Sequence, residues 1–133
     1  MLLAGLGDGI VGKMSFELQL EQMPGYLAAR FIGAGEPGAA SARFESIAEH
    51  CKRTYNDKLL IDATRYNVKV SDTDRFFMGT SSQIFAVHRI KIVFVCRPEQ
   101  LDEGRFGRLV AENRGVTVEA FTDFQSAKEW LLK

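Results

Sequence analysis

The amino-acid sequence predicts a single α/β domain built on a mixed five-stranded sheet with four helices. Short apolar runs typical of strands alternate along the chain with segments whose apolar residues recur every three or four positions, as on one face of a helix. The resulting order, ββαβαβαβα, begins with a hairpin and continues through helical crossovers, which join parallel strands. At 133 residues the chain matches one domain and can bury a core without disulfides or metals.

The chain begins with a Gly-rich segment, residues 1–13, which we interpret as a flexible arm that precedes the domain proper at 14–133. Residues 15–22 alternate apolar and polar side chains and therefore predict a half-buried strand. Pro24-Gly25 has the residue order of a type II turn, so residues 26–33 are predicted to form the second strand of a hairpin.

The middle of the chain predicts two helices around a buried strand. Residues 38–55 have an apolar helical face made of Ala40, Phe44, Ile47, Ala48, Cys51 and Tyr55. The apolar run 58–64 is typical of a buried parallel strand, with 64–70 as the connection that follows it. Ser71-x-x-Asp74 resembles a capping box and opens a helix that runs to about Phe85, with four inward side chains: Phe76, Phe77, Thr80 and Ile84.

The last third of the chain predicts two strands and two helices. Residues 89–96 form the strongest strand, and the helix at 103–113 places Phe106, Leu109, Val110 and Asn113 on one stripe. A strand at 116–121 is followed by the capping box Thr122-x-x-Gln125. The final helix is predicted to bury Phe124, Ala127, Trp130 and Leu131.

Composition narrows the classes of function. Lys and Arg together number 17, as do Asp and Glu, so the net charge is zero, which argues against a nucleic-acid binder. Cys51 and Cys96 form no CxxC motif and lie in apolar sequence, which predicts reduced, buried thiols and a cytoplasmic location. No apolar run approaches the roughly 20 residues that span a bilayer. His50 and His88 lack metal-ligand spacing, so neither metal nor cofactor is expected.

Three short motifs have structural explanations. The segment 7–13 fits GxxxxGK, but Met14 and a strand follow it, whereas a phosphate loop is followed by Ser or Thr and a helix. Cys96-Arg97 follows a strand as in cysteine-based phosphatases, yet position 102 is Asp where those enzymes place Arg, so we interpret Cys96 as a packing residue. We interpret a group of arginines near this strand as a solvated basic face, with contact to an anion or an acidic partner as the alternative: Arg97, Arg105, Arg108 and Arg114.

The carboxyl end of the 58–63 strand is the candidate site. Ligands of open parallel sheets bind outside the carboxyl ends of the strands, where helix N-termini present free amide donors. Two groups of residues meet there by prediction. Ser71, Asp72 and Thr73 form a candidate phosphorylation or partner site, and Asp62, Thr64 and Arg97 form a candidate ligand or interaction edge. The alternative is that Ser71 only caps its helix, which contributes about 1 kcal/mol.

Over residues 14–133 the chain resembles the STAS family (sulphate transporter and anti-sigma-factor antagonist) and its small bacterial SpoIIAA-like members. The element order is similar, and Ser71 follows the strand-ending Asp62 by nine residues, as does the first Ser of the family's Asp-Ser-Ser-Gly motif. Val70, Asp72 and Thr73 depart from that motif. The resemblance implies a non-catalytic regulatory or protein-interaction domain, anti-sigma-factor-antagonist-like, with Ser71 as its phosphoserine.

Two readings of function are therefore expected. In the first, the domain binds a protein partner, with no nucleic acid, membrane or cofactor, and a homodimer is compatible with the sequence. In the second, it binds a small anionic ligand at the strand-end edge near Asp62, Ser71 and Arg97.

Overall fold

The computed structural model describes residues 16–34, 38–67, 72–101 and 106–133, so the N-terminal arm and the segment 7–13 lie outside it. The described residues form one sheet in the order β1-β2-β3-β4-β5, in which β1 and β2 are antiparallel and the later neighbours are parallel. The mixed α/β sheet that the sequence predicts is confirmed. Its strands are β1 Glu17–Met23, β2 Tyr26–Gly33, β3 Lys58–Tyr66, β4 Lys91–Val95 and β5 Val118–Phe121.

Helical segments occupy the four predicted places, with a division in the second. The helices are α1 Phe44–Arg53, α2 Asp72–Ser81, α3 Gln83–Val87, α4 Phe106–Asn113 and α5 Phe124–Leu131. The break between α2 and α3 falls at Ser82, whose buried hydroxyl donates to the carbonyl of Gly79 at 2.6 Å. Such side-chain bonds compete with the helical ladder. Within the described residues, none of these helices has the length and apolar character to cross a bilayer.

The sheet separates two apolar clusters, because successive side chains on a strand point to opposite faces. The larger cluster includes Leu27, Leu59 and Ile92 and is covered by α1, α3 and α4. The smaller cluster places Leu60 and Val93 against α5. Each fully buried aliphatic side chain of this kind contributes about 1.5–3 kcal/mol relative to exposure.

Several side chains predicted to be buried are exposed instead. The prediction is wrong for α2 because that helix packs mainly against α4 rather than on the sheet. It is wrong at position 55 because α1 ends at Arg53, before the tyrosine. The exposed fractions are Tyr55 96%, Phe76 40%, Phe77 54%, Leu109 53% and Phe124 45%.

The hairpin turn agrees with the prediction, whereas the length of β3 does not. Gly25 has a φ of 86°, as a type II turn requires at its third position. A Cβ at Gly25 would lie 3.3 Å from Leu132 Cδ2, so the turn also packs closely on the C-terminal segment. The predicted connection 64–70 is wrong at its start, because β3 continues in the sheet to Tyr66.

The cap of α5 is Asp123 rather than the predicted Thr122. Asp123 has extended backbone angles, and its carboxylate accepts a hydrogen bond from the amide of Ser126 at 2.7 Å. The predicted partner Gln125 donates to Glu129 instead. The helix therefore starts one residue later than predicted, which leaves Phe124 in its exposed first turn.

Replacement of Asp123 by Ala is expected to lower the urea midpoint of unfolding. The hydrogen bond from Ser126 lowers the pKa of Asp123 below its ordinary 3.8. A carboxyl whose pKa is lower in the folded state stabilises the protein fully at pH values above its pKa in the unfolded chain. That stabilisation is lost as the pH falls through its pKa in the folded state. The gap between wild type and Asp123→Ala should therefore close below pH 3.8. Asp123→Asn is the control, since it keeps the cap without titrating, and a pH-independent gap for Asp123→Ala would contradict the account.

Three crossover helices end in the same left-handed turn. The residues at its turning point are Tyr55 (φ 58°), Arg89 (φ 56°) and Gly115 (φ 85°). In each turn the next amide donates back to the helix, from Asn56 to Cys51, Ile90 to Phe85 and Val116 to Ala111, at 2.8, 2.8 and 3.1 Å. This is the Schellman geometry, which glycine adopts at no steric cost and other residues adopt at a cost of about 1–2 kcal/mol.

Tyr55→Gly is therefore expected to raise the free energy of unfolding by about 0.5–1 kcal/mol, after allowance for the greater freedom of glycine in the unfolded chain. Urea unfolding checks this. Lys52→Gly, in the last turn of α1, is the matched control and should lower stability by about 1 kcal/mol. A Tyr55→Gly variant less stable than wild type would show that the tyrosine supports the fold through its side chain.

Candidate ligand cavity

A cavity of about 500 Å³ lies at the carboxyl ends of the parallel strands, between the sheet and the α2–α4 pair. Its volume falls in the range of small-molecule binding sites. Helices α1 and α2 contribute Phe44 and Met78 to its wall. Four neighbouring strands give it an apolar floor of Phe31, Ile61, Phe94 and Val118.

An irregularity in β3 shapes this cavity. The register between β2 and β3 shifts, so that three residues of β3 cover the same interval as two residues of β2: Arg30 pairs with Asp62, and Ile32 pairs with Arg65. An extra residue in one strand reverses which face the following side chains occupy. Tyr66 therefore lies on the cavity side with Ile61. There its ring packs edge-on against Phe16 and Phe31, with centroids 5.4 and 5.7 Å away.

Arg97 and Gln100 hold the irregular end of β3. The Gln100 amide donates to the carbonyls of Ala63 and Tyr66, both at 2.9 Å. The Arg97 guanidinium donates to the carbonyl of Thr64 and, at 3.4 Å, to that of Tyr66. The Gln100 side chain also accepts from the Arg97 amide at 2.6 Å. These contacts, which we name the β3 clamp, supply donors to three β3 carbonyls that lie beyond the last pair of β3 with β4, Asp62–Val95.

The cavity wall carries charge. Arg108 on α4 forms ion pairs with Glu112 at 3.1 Å and with Glu119 of β5 at 3.3 Å. The Arg108 and Glu119 side chains are 30% and 18% exposed, so this pair is partly shielded from water. Arg75 of α2 also lines the cavity. Partial burial strengthens the field that these groups present to an occupant.

Both cysteines are free and buried, as the sequence predicts. Cys96 lines the cavity, and its thiol lies 3.8 Å from the carbonyl of Phe121. Burial raises the pKa of Cys96 above its ordinary 9.0, although the Arg97 charge acts in the opposite direction. Cys51 lies in the larger cluster, and burial raises its pKa to about 12. Neither thiol has the lowered pKa of a nucleophilic cysteine.

The predicted ligand edge is divided between the two faces of the sheet. Asp62 lies on the face opposite Ile61 and Ala63, is 8% exposed, and does not line the cavity. Its carboxylate accepts from the amide and the hydroxyl of Thr64 at 2.9 and 2.6 Å, so it closes a local turn. Arg97 does line the cavity, but most of its donors serve the β3 clamp and Glu99.

The predicted phosphorylation segment is described only in part. Ser71 lies outside the described residues, so its modification and its nearness to Arg97 stay predictions. Helix α2 begins at Asp72, and Thr73 is exposed. Sequence reasoning assigned Arg108 to a solvated face and overlooked Gln100, because only the fold brings both to the cavity. The i,i+4 pair with Glu112 was a local signal that Arg108 is held in place.

The described residues offer no evidence of a catalytic or metal centre. They contain no group of three or more His, Cys, Asp or Glu side chains placed to hold a metal ion. Within this part of the chain, the side chains of His50 and His88 make no hydrogen bond to a hydroxyl or thiol.

Gln100→Ala is expected to lower the free energy of unfolding by about 1–2 kcal/mol, because it removes hydrogen bonds to two half-buried carbonyls. Glu99→Ala is the control in the same turn: its carboxylate bonds Arg97 at 2.8 Å in an exposed position, so little change is expected. Chemical denaturation of the two variants measures the difference. Equal stabilities would show that the clamp does not hold β3.

Of the comparisons with known proteins, only the one with solved structures found similar proteins, and it supports the fold alone. No family model matches the chain, and no curated protein matches it. Among solved structures, an uncharacterized protein of the DUF3478 family from Shewanella loihica PV-4, with a SpoIIAA-like fold, shares 16% identity at a TM-score of 0.53. That match covers 88% of this chain and 93% of the other.

An anti-sigma factor antagonist from Mycobacterium paratuberculosis shares 12% identity at a TM-score of 0.58, over 90% of this chain and 96% of that one. Both matches cover nearly the whole chain, and the first neighbour is described as having a SpoIIAA-like fold. The chain therefore has a SpoIIAA-like fold, as its sequence predicts.

Proposed function

We propose that residues 14–133 form a non-catalytic STAS-like domain that binds a small amphipathic anion in the cavity at the carboxyl ends of its strands. The observation that carries this proposal is the cavity of about 500 Å³ with an apolar floor and arginines in its wall. It relocates the anion site expected near Asp62 to the opposite face of the sheet.

The apolar floor supports a ligand with a hydrocarbon or aromatic body. Four strands and three helices contribute aliphatic and aromatic side chains, and a ligand that covers them gains about 25 cal/mol for each Å² of apolar surface removed from water. A purely polar anion such as phosphate gains nothing from this floor and should bind weakly.

The wall supports a negative headgroup. Three arginines line the cavity, Arg75, Arg97 and Arg108, against two glutamates, Glu99 and Glu119. Since the β3 clamp occupies Arg97, Arg108 is the residue that we assign to the headgroup. Its guanidinium can bind a carboxylate through two parallel hydrogen bonds, in exchange for its contact with Glu119.

Thermal-shift measurements with three probes test the proposal. Decanoate is expected to raise the melting temperature, because a ligand bound to the native state stabilises it by mass action. Decanol tests the apolar contribution alone, and inorganic phosphate tests the charge alone, so both should shift it less. Stabilisation by phosphate but not by decanoate, or by none of the three, would reject the amphipathic site.

Arg108→Met is expected to weaken decanoate binding about tenfold or more while decanol binding changes little, because methionine keeps an apolar stem and removes the charge. Calorimetric titration of both ligands measures the difference. Arg53→Met, in the last turn of α1 and away from the cavity lining, is the matched control and should bind decanoate as the wild type does. An equal loss for both ligands would show that Arg108 only supports the wall.

A second candidate function is control of a protein partner. The fold shared with an anti-sigma factor antagonist supports it, and so does the position of Ser71 nine residues after Asp62. In this reading a cytoplasmic partner, kinase-like in its chemistry, recognises the segment around Ser71. Intact-mass measurement of protein from its own host, with and without phosphatase, tests it: a phosphate mapped to Ser71 supports the switch, and an unmodified Ser71 argues for the cavity alone.

A further inference from the structure

The end of the sheet opposite the cavity presents a distinct surface. Three left-handed turns follow α1, α3 and α4 and lie side by side along the amino ends of the strands. The amide of Lys91 donates to the carbonyl of Asp57, and the amide of Ile92 donates to that of Thr117, both at 2.9 Å. The first bond joins the turn at Tyr55 to the turn at Arg89. The second joins the turn at Arg89 to the turn at Gly115.

Tyr55 has no evident role inside the molecule. Its side chain is 96% exposed, and within the described residues it makes no hydrogen bond, ring contact or ion pair. Its φ of 58° is strained for a tyrosine. Gly115 occupies the equivalent position of the third turn, so the turn itself needs no side chain there. An exposed aromatic residue at a strained position is therefore a candidate contact for another molecule.

Exposed apolar and basic side chains lie in and beside the first two of these turns. Val87, at the end of α3, is 65% exposed. Lys52, Arg53 and Arg89 are exposed, and none has an ion-pair partner in the part of the chain that the structure describes. Although the whole chain has no net charge, this end is locally basic.

The same end is basic on the other face of the sheet. Lys58 and Lys91 are neighbours in the β3–β4 register. Burial lowers the pKa of Lys91, and the positive charges of Lys58 and Lys133 lower it further, which places three lysines close together. The Lys91 ammonium donates to the carbonyl of Trp130 at 2.8 Å and lies 4.4 Å from the centre of its ring.

We propose that this basic end, formed by Lys52, Arg53, Tyr55, Val87 and Arg89, is a docking surface for an acidic protein segment that carries an apolar side chain. An exposed tyrosine and valine near basic side chains without ion-pair partners match the usual composition of protein interfaces, where aromatic and Arg side chains contribute most of the affinity. The complementary partner places carboxylates against Arg53 and Arg89 and its apolar side chain on Tyr55 and Val87.

A protein segment is favoured over a nucleic acid by the number of aromatic side chains. Single-stranded nucleic acids stack successive bases on several aromatic rings, whereas Tyr55 is the one largely exposed aromatic among these turns. The surface lies at the opposite end of the strands from the cavity, so the two proposals stand or fall separately.

Titration of the ¹⁵N-labelled protein with the synthetic peptide Ac-Glu-Asp-Leu-Phe-Asp-Glu-NH₂ tests the surface. Saturable shifts are expected at Tyr55, Val87 and Arg89. The peptide with Gln and Asn in place of its acids should bind at least about tenfold more weakly, and affinity should fall with added salt, because the attraction is between exposed charges. A dissociation constant of about 1 mM already corresponds to a weak complex, so the absence of saturable shifts up to that peptide concentration overturns the proposal.

Variants separate binding from folding. Tyr55→Gly is expected to weaken peptide binding about tenfold or more, as loss of a central aromatic contact does, while its melting temperature rises. Arg65→Ala, an exposed arginine at the carboxyl end of β3, is the matched control and should bind as wild type.

Unchanged binding by Tyr55→Gly, or peptide shifts confined to the cavity residues, overturns the assignment to the basic end. A single-stranded oligothymidylate that binds more tightly than the peptide at equal salt also overturns it, in favour of a nucleic-acid partner.

Discussion

The extra residue near the end of β3, together with the clamp that holds it, is the constraint on which the candidate site depends. Regular alternation would send Tyr66 to the face of Asp62, and the aromatic contacts with Phe16 and Phe31 would be lost. β3 also continues past its last pair with β4, Asp62–Val95, and buried carbonyls there require other partners. Gln100 and Arg97 supply those partners and so connect the end of β3 to the segment after β4.

The two ends of the sheet differ in chemistry. At the carboxyl ends of the strands, α2 packs against α4, and the cavity lies between these helices and the sheet. At the amino ends the crossover helices terminate in tight turns, so that end is closed and presents only surface side chains.

Sequence patterns predicted the order of elements because it depends on local periodicity: the hairpin and the crossovers follow from apolar spacing and turn residues. They failed where tertiary contacts decide. Asp62 and Arg97 seemed to share an edge, but no local signal reveals the face of each side chain after a bulge. Phe76 and Phe77 look like core residues until α2 is known to pack on another helix. The α5 cap moved to Asp123 because adjacent Thr and Asp side chains compete for the same role.

The central claim is that the cavity binds a ligand. The alkylation rate of Cys96 tests it, because this thiol lines the cavity. Iodoacetamide alkylation is followed by peptide mass at a pH above the ordinary thiol pKa, with and without saturating decanoate. Cys51, buried in the core with a pKa of about 12, is the internal reference and should resist in both conditions. The account predicts that decanoate slows alkylation of Cys96 several-fold and leaves Cys51 unchanged, because the ligand covers one thiol only. An unchanged Cys96 rate at saturating decanoate would contradict it.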